Sequence, residues 1–157
     1  MKAKVYVETT VVSYLTAWPS RDVIVAAHQQ ITDEWWRAKR QDFELFASQL
    51  VLREAQAGNE DMAQRRLKAL ENIKLLEVTE EVLALAEKLI TSGPLPKKAA
   101  EDATHIAVAV VNGMDYIITW NCKHIANAKM REKIEQICQA NGYKPTIICT
   151  PEELLED

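Results

Sequence analysis

The sequence predicts an α/β fold, in which a central, mainly parallel sheet of about five short strands lies between two layers of helices. Two observations support this three-layer α/β/α prediction. Short runs of β-branched and aromatic residues, such as VYV at 5–7, end in polar residues, and much longer stretches with helical periodicity separate them. Long helical connections between short strands are crossovers, which join parallel strands and cover both faces of the sheet.

The predicted elements follow from the spacing of apolar residues, which repeat at every second position in strands and at every third or fourth in helices. The sequence Gly93-Pro94-Leu95-Pro96 interrupts the helical pattern, and the stretch after it is so rich in small and apolar residues that we expect a buried helix. In chain order we predict a strand near 4–7, helices near 10–16 and 22–41, a strand near 43–46, helices near 48–57 and 60–73, a strand at 74–78, helices at 80–90 and 99–111, a strand at 116–119, a helix near 123–139, a strand at 146–149 and a short acidic helix at the end.

Length and composition are typical of one globular domain. The chain has 157 residues, of which 48% are hydrophobic and 27% charged, so we expect a single domain spanning residues 1–157. No apolar run approaches the roughly 18 residues that a membrane span needs. The first apolar stretch is interrupted at Glu8 too early for a signal peptide. We therefore expect a cytoplasmic protein without a membrane partner.

Cysteine content and charge exclude some classes of function. Cys122, Cys138 and Cys149 are scattered and form no C-x-x-C pair, which argues against a disulfide framework and against a thiolate zinc site. The formal net charge of −4 provides no overall attraction to nucleic acid. A nucleic-acid substrate would therefore require a local basic patch.

Polar residues follow two of the predicted strands directly. Glu8 comes just after the first strand, and Asn121 comes two residues after the strand at 116–119, in the segment TWNCKH. Parallel sheets bind their ligands in the crevice outside the carboxyl ends of the strands, so we expect both residues at its mouth. The alternative for Glu8 or Thr9 is a capping role at the start of the next helix.

Two further carboxylates are predicted to point toward this crevice. Glu54 shares a helical face with Leu50, and Asp102 shares one with Ile106, so both side chains should extend an apolar stripe. The alternatives are a partnered structural charge for Glu54 and a favourable first-turn acid for Asp102. His105 lies one turn after Asp102 and either orients a carboxylate or is a satisfied, half-buried histidine.

A site built from Glu8, Glu54, Asp102 and Asn121 is rich in oxygen ligands. Such ligands suit Mg²⁺ or Mn²⁺ better than zinc. Beside a phosphodiester, an ion of this kind can activate a water molecule and stabilise charge on the leaving oxygen. The residue types therefore indicate phosphoryl chemistry.

Three segments resemble one known family, namely VYVETTVVSYL, SQLVLREAQAGN and EDATHIAVAVVNGMDYIITWNCKHI. In this order they are similar to the PIN-domain ribonucleases, specifically the VapC-type toxins of bacterial toxin–antitoxin pairs. The resemblance implies a PIN-like three-layer domain and an endoribonuclease that depends on Mg²⁺ or Mn²⁺. It also implies a homodimer and a small antitoxin protein as a partner.

The acidic site of that family falls on Glu8, Glu54, Asp102 and Asn121 of this chain, which the resemblance makes both catalytic and metal-binding. Two positions depart from the family's pattern, because the first acid is usually Asp and the fourth is usually Asp as well. Glu8 keeps the charge but lengthens the side chain by one methylene, which moves a ligand oxygen by roughly 1 to 1.5 Å. Asn121 keeps an acceptor oxygen and lacks the negative charge, so we expect weaker metal binding.

Candidate substrate contacts lie beside the proposed site. Thr9 is the hydroxyl that follows the first acid, and Lys97, Lys98 and Lys123 border the site closely enough to hold RNA phosphates.

Two other functions compete with the ribonuclease hypothesis. A catalytically weak or inactive PIN scaffold that binds RNA or a protein partner would explain the departures at Glu8 and Asn121. The helix that begins near Val23 and Ile24 could supply a groove for such a partner. A small nucleotide-binding domain is disfavoured, because the chain has only four glycines and neither a G-x-G-x-x-G motif nor a P-loop.

Overall fold

Strands and helices alternate along the computed structural model, which describes residues 1–155. The strands are Ala3–Val7 (β1), Phe43–Ser48 (β2), Lys74–Leu76 (β3), Tyr116–Ile118 (β4) and Ile147–Cys149 (β5). The α-helices of the described part are Thr9–Thr16 (α1), Val23–Ala38 (α2), Gln49–Ala55 (α3), Glu60–Ala69 (α4), Glu80–Thr91 (α5), Ala100–Val111 (α6) and Ala128–Ala140 (α7). Short 3₁₀ helices occupy Arg40–Asp42, Lys97–Ala99 and Pro151–Leu154.

The sheet is parallel throughout, with the strand order β3-β2-β1-β4-β5. The central strand β1 pairs with β2 on one side and with β4 on the other, so that Val5 lies between Leu45 and Tyr116. After β1, the chain adds β2 and β3 on one side of it and then crosses to the other side, where β4 and β5 lie. The direction of winding therefore reverses between β1 and β4, where an open α/β sheet forms its ligand crevice.

The helices form two layers. Right-handed crossovers from β1 through β2 to β3 put α1 to α4 on one face, and the return to β4 and β5 puts α5 to α7 on the other. The observed packing agrees, because α1 contacts α2, α3 and α4, whereas α5 contacts α6 and α7. The predicted three-layer α/β/α fold is confirmed.

The core lies between these layers and the sheet. Val5, Tyr6 and Val7 of β1 are fully buried, as are Ile117 and Ile118 of β4. Helix α6 is buried from His105 to Val110, as its apolar composition predicts. Gly113, with φ of +68°, then turns the chain from this helix toward β4.

Several helices begin where a polar side chain accepts a hydrogen bond from the first turn. Glu8, Ser48 and Asn127 cap α1, α3 and α7 in this way. The cap at Asn127 explains one wrong boundary, because the last long helix was predicted to begin near residue 123. Backbone hydrogen bonds from Ile125 and Ala126 to the carbonyl oxygen of Asn121 hold the preceding residues in a turn instead.

Other boundaries differ from the prediction by a few residues. The helix predicted at 22–41 ends at Ala38 and continues as the 3₁₀ turn Arg40–Asp42, and the helix predicted at 60–73 ends at Ala69. The strand predicted at 74–78 is limited to Lys74–Leu76. The acidic segment near the end forms a 3₁₀ helix, with Pro151 directly after the N-cap residue Thr150. Its last two residues, 156 and 157, lie outside the described part.

Within residues 1–155, no helix is both long enough and apolar enough to cross a membrane.

Candidate active site

The candidate site lies at the carboxyl ends of β1 and β4. Glu8 follows β1 directly, and its backbone N–H donates to the carbonyl oxygen of Ile118 in β4 at 3.1 Å. Its carboxylate caps α1, because Oε2 accepts a hydrogen bond from the backbone N–H of Thr10 at 3.1 Å. The capping alternative therefore applies to Glu8, and it coexists with the predicted position at the sheet edge.

The carboxylate of Glu8 is buried, with 3% of the residue exposed. Its Oε1 accepts hydrogen bonds from the hydroxyl groups of Thr10 and Thr119, both at 2.5 Å. No cation is paired with it within residues 1–155. Because a buried carboxylate needs hydrogen bonds or an opposite charge, the two hydroxyls and the backbone amide together stabilise its charge.

Glu54 projects from α3 toward the same edge of the sheet, with its side chain 26% exposed. Its Oε1 accepts a hydrogen bond from Thr9 Oγ1 at 2.6 Å and lies 2.6 Å from His105 Nε2. Partial burial raises the pKa of Glu54, but the hydrogen bond and charge of His105 and the Thr9 hydroxyl lower it by more, so the pKa falls well below its usual range. The partner of this carboxylate is therefore a histidine.

His105 is held from both sides of its ring. The residue is 1% exposed, and its Nδ1 lies 2.7 Å from the hydroxyl oxygen of Tyr6. That hydroxyl lies 2.8 Å from Ser48 Oγ, and Ser48 Oγ also accepts from the backbone N–H of Val51 at 3.2 Å. A buried chain of polar groups thus runs from the start of α3 to Glu54. His105 thus contacts a carboxylate, that of Glu54, and both of its ring nitrogens have partners in the core.

Glu101, which precedes Asp102 on α6, belongs to the same cluster. Its carboxyl group shares a hydrogen bond with Glu54, which raises the pKa of Glu101, and burial raises that pKa further. The guanidinium group of Arg53 lies 3.8 Å away and lowers the pKa. Two carboxyl groups in contact share a proton more readily than they both ionise.

Asp102 and Asn121 meet on the other side of the site. Asn121 Nδ2 donates to Asp102 Oδ1 at 3.0 Å, and His124 Nδ1 lies 2.9 Å from Asp102 Oδ2. The amide oxygen of Asn121 accepts from the backbone N–H of His124 at 3.1 Å, which orders the turn after β4. Both oxygens of Asp102 are thus already hydrogen-bonded, and its side chain is 22% exposed.

The four predicted site residues therefore form two neighbouring pairs. Single ligand atoms of Glu8, Glu54 and His105 lie within 4.8 Å of one another, a grouping that can hold a divalent metal ion. Asp102 is outside this cluster and pairs with Asn121 instead. The two pairs are connected because Thr119 Oγ1 donates to Glu8 and also accepts from the backbone N–H of Asn121 at 2.9 Å.

The predicted substrate contacts differ in their surroundings. Thr9 is already bonded to Glu54, so its hydroxyl group supports the carboxylate. Lys97 and Lys98 are exposed in the 3₁₀ turn before α6, and Lys123 is exposed in the turn after Asn121. No side-chain partner of these three lysines is found in the described part of the chain, which leaves their charges accessible.

Sequence reasoning missed Thr119, His124 and Glu101 and gave Tyr6 no role. Two of them carried a usable signal, because Glu101 adjoins Asp102 and His124 lies in the same TWNCKH segment as Asn121. Tyr6 and Thr119 look like ordinary strand residues in the sequence. Only the packing of β1 against α6, and of β4 against the start of α1, gives them polar partners.

Comparisons with known proteins bear on the fold. No protein-family model matches the chain, and no curated protein matches its sequence. The solved structure of Mycobacterium tuberculosis VapC20, described as a toxin that cleaves the Sarcin-Ricin loop, is similar with a TM-score of 0.58 and 16% identity. That match covers 88% of this chain and 95% of the VapC20 chain.

A second similar structure is VapBC2 from Rickettsia felis bound to a DNA fragment from its promoter. Its TM-score is 0.56 at 14% identity, over 76% of this chain and 89% of that chain. The chain thus has the fold of the VapC toxins, which are PIN-domain proteins, and the fold that the sequence resemblance implied is confirmed.

Proposed function

We propose that this protein is a metal-dependent endoribonuclease that hydrolyses RNA phosphodiester bonds and acts as the toxin of a toxin–antitoxin pair. One observation carries the proposal. The ligand atoms of Glu8, Glu54 and His105 lie within 4.8 Å of one another at the carboxyl edge of the sheet, in a chain with the fold of VapC toxins. VapC20 is a toxin that cleaves the Sarcin-Ricin loop, and the likeness to it motivates the same reaction class here.

Four residues would hold the metal and the reacting groups, namely Glu8, Glu54, Asp102 and Asn121. The ion, Mg²⁺ or Mn²⁺, would supply activation of a water molecule and neutralisation of phosphate charge. The donor set fits an ion of this kind, because it offers anionic oxygens within a few ångström of one another. Asn121 adds an amide oxygen without a charge, so binding should be weaker than in an all-carboxylate site.

The surrounding residues fix the orientation of these ligands. Thr10 and Thr119 hold the carboxylate of Glu8, and Thr9 holds that of Glu54. Hydrogen bonds of this kind around metal ligands set their geometry and their charge. Little reorganisation of Glu8 and Glu54 would therefore be needed when substrate arrives.

Substrate binding is assigned to exposed cations near the site. Lys97 and Lys98 precede α6, whose first turn carries Asp102, and Lys123 follows Asn121 in the turn after β4. Phosphates on either side of the cleaved bond would contact them and fix the register of the RNA. These contacts provide the local basic patch that a chain with a net charge of −4 requires.

One observation favours the second candidate function, a PIN scaffold that binds RNA or a protein without cutting. The carboxylate of Glu8 is 3% exposed, and hydrogen bonds from Thr10 and Thr119 already satisfy it. A buried carboxylate whose charge is already stabilised by hydrogen bonds gains less from binding a metal ion than a carboxylate without such donors.

The partners of the toxin hypothesis are an antitoxin and a second copy of the chain. Val23 and Ile24, at the start of α2, are 83% and 68% exposed, and Trp18 nearby in sequence is 70% exposed. Contiguous exposed apolar patches mark interaction surfaces. We assign this surface to the protein partner and expect a homodimer in solution.

The test of the proposed function is cleavage of a mixed RNA pool by purified protein in Mg²⁺, in Mn²⁺ and in EDTA. Asp102→Asn, prepared identically, is the control, because it keeps the shape of the side chain and removes its charge. The proposal expects cleavage that requires metal and is lost in the variant. Equal cleavage by both proteins would reveal a contaminating nuclease, and no cleavage by either would favour the binding scaffold.

A further inference from the structure

We propose that His105 is a nitrogen ligand of the metal ion, bound through Nε2 beside Glu8 and Glu54, and that the site therefore prefers a divalent transition metal to Mg²⁺. This inference deepens the proposed function and rests on its metal site, although it does not depend on RNA cleavage. It changes the expected ligand set, since the sequence predicts four oxygen donors and no nitrogen.

The imidazole of His105 lies close enough to both glutamates to share an ion with them. His105 Nε2 lies 2.6 Å from Glu54 Oε1, and single ligand atoms of His105, Glu54 and Glu8 all lie within 4.8 Å of one another. Two ligands of one small divalent ion can be at most about 4 Å apart, because each lies at about 2 Å from it. The three donors, within 4.8 Å of one another, would have to close by up to about 0.8 Å to share one ion.

Asp102, the other candidate for a third ligand, is engaged elsewhere. Its two carboxylate oxygens are hydrogen-bonded to Asn121 Nδ2 and to the His124 ring, at 3.0 and 2.9 Å. In the described part of the chain it does not belong to the cluster of three, whereas His105 does. Among the described histidine, cysteine and acidic side chains, the imidazole is the one whose ligand atom groups with those of both glutamates.

The buried chain behind His105 accommodates a metal-binding tautomer. Binding through Nε2 needs its lone pair, so the ring proton must be on Nδ1. Tyr6 can accept that Nδ1–H at 2.7 Å, because its own O–H can donate to Ser48 Oγ at 2.8 Å. On metal binding the proton at Nε2 would be released to solvent, and the proton at Nδ1 would remain and be donated to the hydroxyl oxygen of Tyr6.

Tyr6 and Ser48 would then form the outer shell of the site. A metal-bound histidine donates its other N–H to a fixed acceptor, which sets the direction of the ring. Tyr6 and Ser48 are both fully buried, so the position of this acceptor is fixed by the core.

The expected consequence is metal selectivity. Mg²⁺ binds oxygen ligands and keeps several water molecules, whereas imidazole suits transition metals. Mn²⁺ is a suitable probe, because it accepts both carboxylate oxygens and imidazole nitrogen and is paramagnetic. We expect Mn²⁺ to bind more tightly than Mg²⁺, and removal of the imidazole to reduce that preference on the order of tenfold or more.

The direct test is electron spin-echo envelope modulation of Mn²⁺ bound to the full-length protein. A directly bound imidazole produces ¹⁴N modulation, and selective ¹⁵N labelling of histidine changes its pattern without any substitution. The chain has three histidines, which allows matched variants. We expect the modulation to disappear in His105→Gln and to persist in His124→Gln and His28→Gln.

Absence of histidine nitrogen modulation from the unmutated protein loaded with Mn²⁺ would overturn the inference. Its persistence in a folded His105→Gln protein would also overturn it. The RNA cleavage assay separates the two proposals. Metal-dependent cleavage without nitrogen coupling would retain the proposed function and reject His105 as a ligand. Nitrogen coupling without cleavage would support His105 as a ligand and reject the proposed ribonuclease activity.

Discussion

Thr119 Oγ1 lies 2.5 Å from Glu8 Oε1, which joins the end of β4 to the carboxylate that follows β1. The same oxygen accepts a hydrogen bond from the backbone N–H of Asn121 at 2.9 Å. One fully buried hydroxyl therefore fixes a candidate metal ligand and also orders the turn that carries the amide.

This relationship predicts the effect of Thr119→Val, which keeps the side-chain volume and removes the hydroxyl. The carboxylate of Glu8 would lose one of its donors, so metal affinity should fall by roughly 10-fold to 100-fold. The free energy of unfolding should fall by about 1 to 3 kcal/mol, because buried polar groups lose their partner. Titration calorimetry with Mn²⁺ and urea unfolding measure the two effects.

Thr119→Ser, which retains the hydroxyl, should behave like the unmutated protein. An equal loss of affinity and stability in both variants would contradict this role of the hydroxyl.

Asn121→Asp is expected to make the protein more dependent on metal. Asn121 donates to Asp102 Oδ1 at 3.0 Å, and a carboxylate in its place would repel Asp102 instead. Without metal, the free energy of unfolding should therefore fall by about 1 to 3 kcal/mol. Added Mg²⁺ or Mn²⁺ should then raise the melting temperature more than it does in the unmutated protein.

Asn121→Ala is the uncharged control, because it also removes the hydrogen bond to Asp102, in addition to the one from the His124 backbone N–H, and adds no charge. A metal-induced rise in melting temperature of equal size in Asn121→Asp and Asn121→Ala would show that this position does not face the ion. The Asn121→Asp protein also separates the two candidate functions. Faster RNA cleavage would indicate a tuned enzyme, and no cleavage with or without the change would indicate a binding scaffold.

Lys97 and Lys98 are expected to hold RNA phosphates. Replacing both with alanine should weaken RNA binding and reduce the slope of log affinity against log salt by roughly 0.7 for each lost phosphate contact. Fluorescence anisotropy with labelled RNA in EDTA measures binding while cleavage is prevented. Lys144 is an exposed control that precedes β5, at the opposite edge of the sheet. If Lys144→Ala lowered the slope as much, RNA binding would not be located at the candidate site.

The three cysteines should differ in reactivity. Cys138 and Cys149 are buried, and burial raises the pKa of Cys138 to about 11 and that of Cys149 to about 12, whereas Cys122 is exposed. A thiol reagent at neutral pH should therefore modify one cysteine in the native protein and three in denaturant. Native Cys122→Ser should not react, and RNA should protect Cys122 because it follows Asn121. Rapid native modification of two thiols would contradict the described packing.

Both the fold and the edge of the sheet that carries the candidate site could be predicted from the sequence. Strand ends are visible at Glu8 and before Asn121, and parallel strands necessarily bring their carboxyl ends together. The pairing of side chains was not predictable in the same way. Whether Asp102 contacts Glu54 or Asn121 depends on side-chain rotamers and on the turn that the Asn121 carbonyl stabilises. No repeating pattern of residues in the sequence predicts either of them.

The contacts of His105 were also not predictable from the sequence. Its place on α6 was clear, and an orienting role was one of its two predicted uses. Its partner Tyr6 comes from β1, and Ser48, which contacts Tyr6 in turn, comes from β2; both lie far from His105 in sequence. The periodicity of a strand tells only which face such residues occupy, so a buried polar chain through the core had to come from the structure.

RNA cleavage by this protein should depend on a metal held by the carboxylates at this edge of the sheet. The decisive experiment follows cleavage of one RNA by a single preparation as isolated, after EDTA, and after Mn²⁺ is restored, beside Glu54→Gln treated identically. We expect cleavage to stop with EDTA, to return with Mn²⁺, and to be absent at every stage in the variant. Cleavage that continues in EDTA, or that Glu54→Gln performs at the unmutated rate, would contradict a metal-dependent mechanism at these carboxylates.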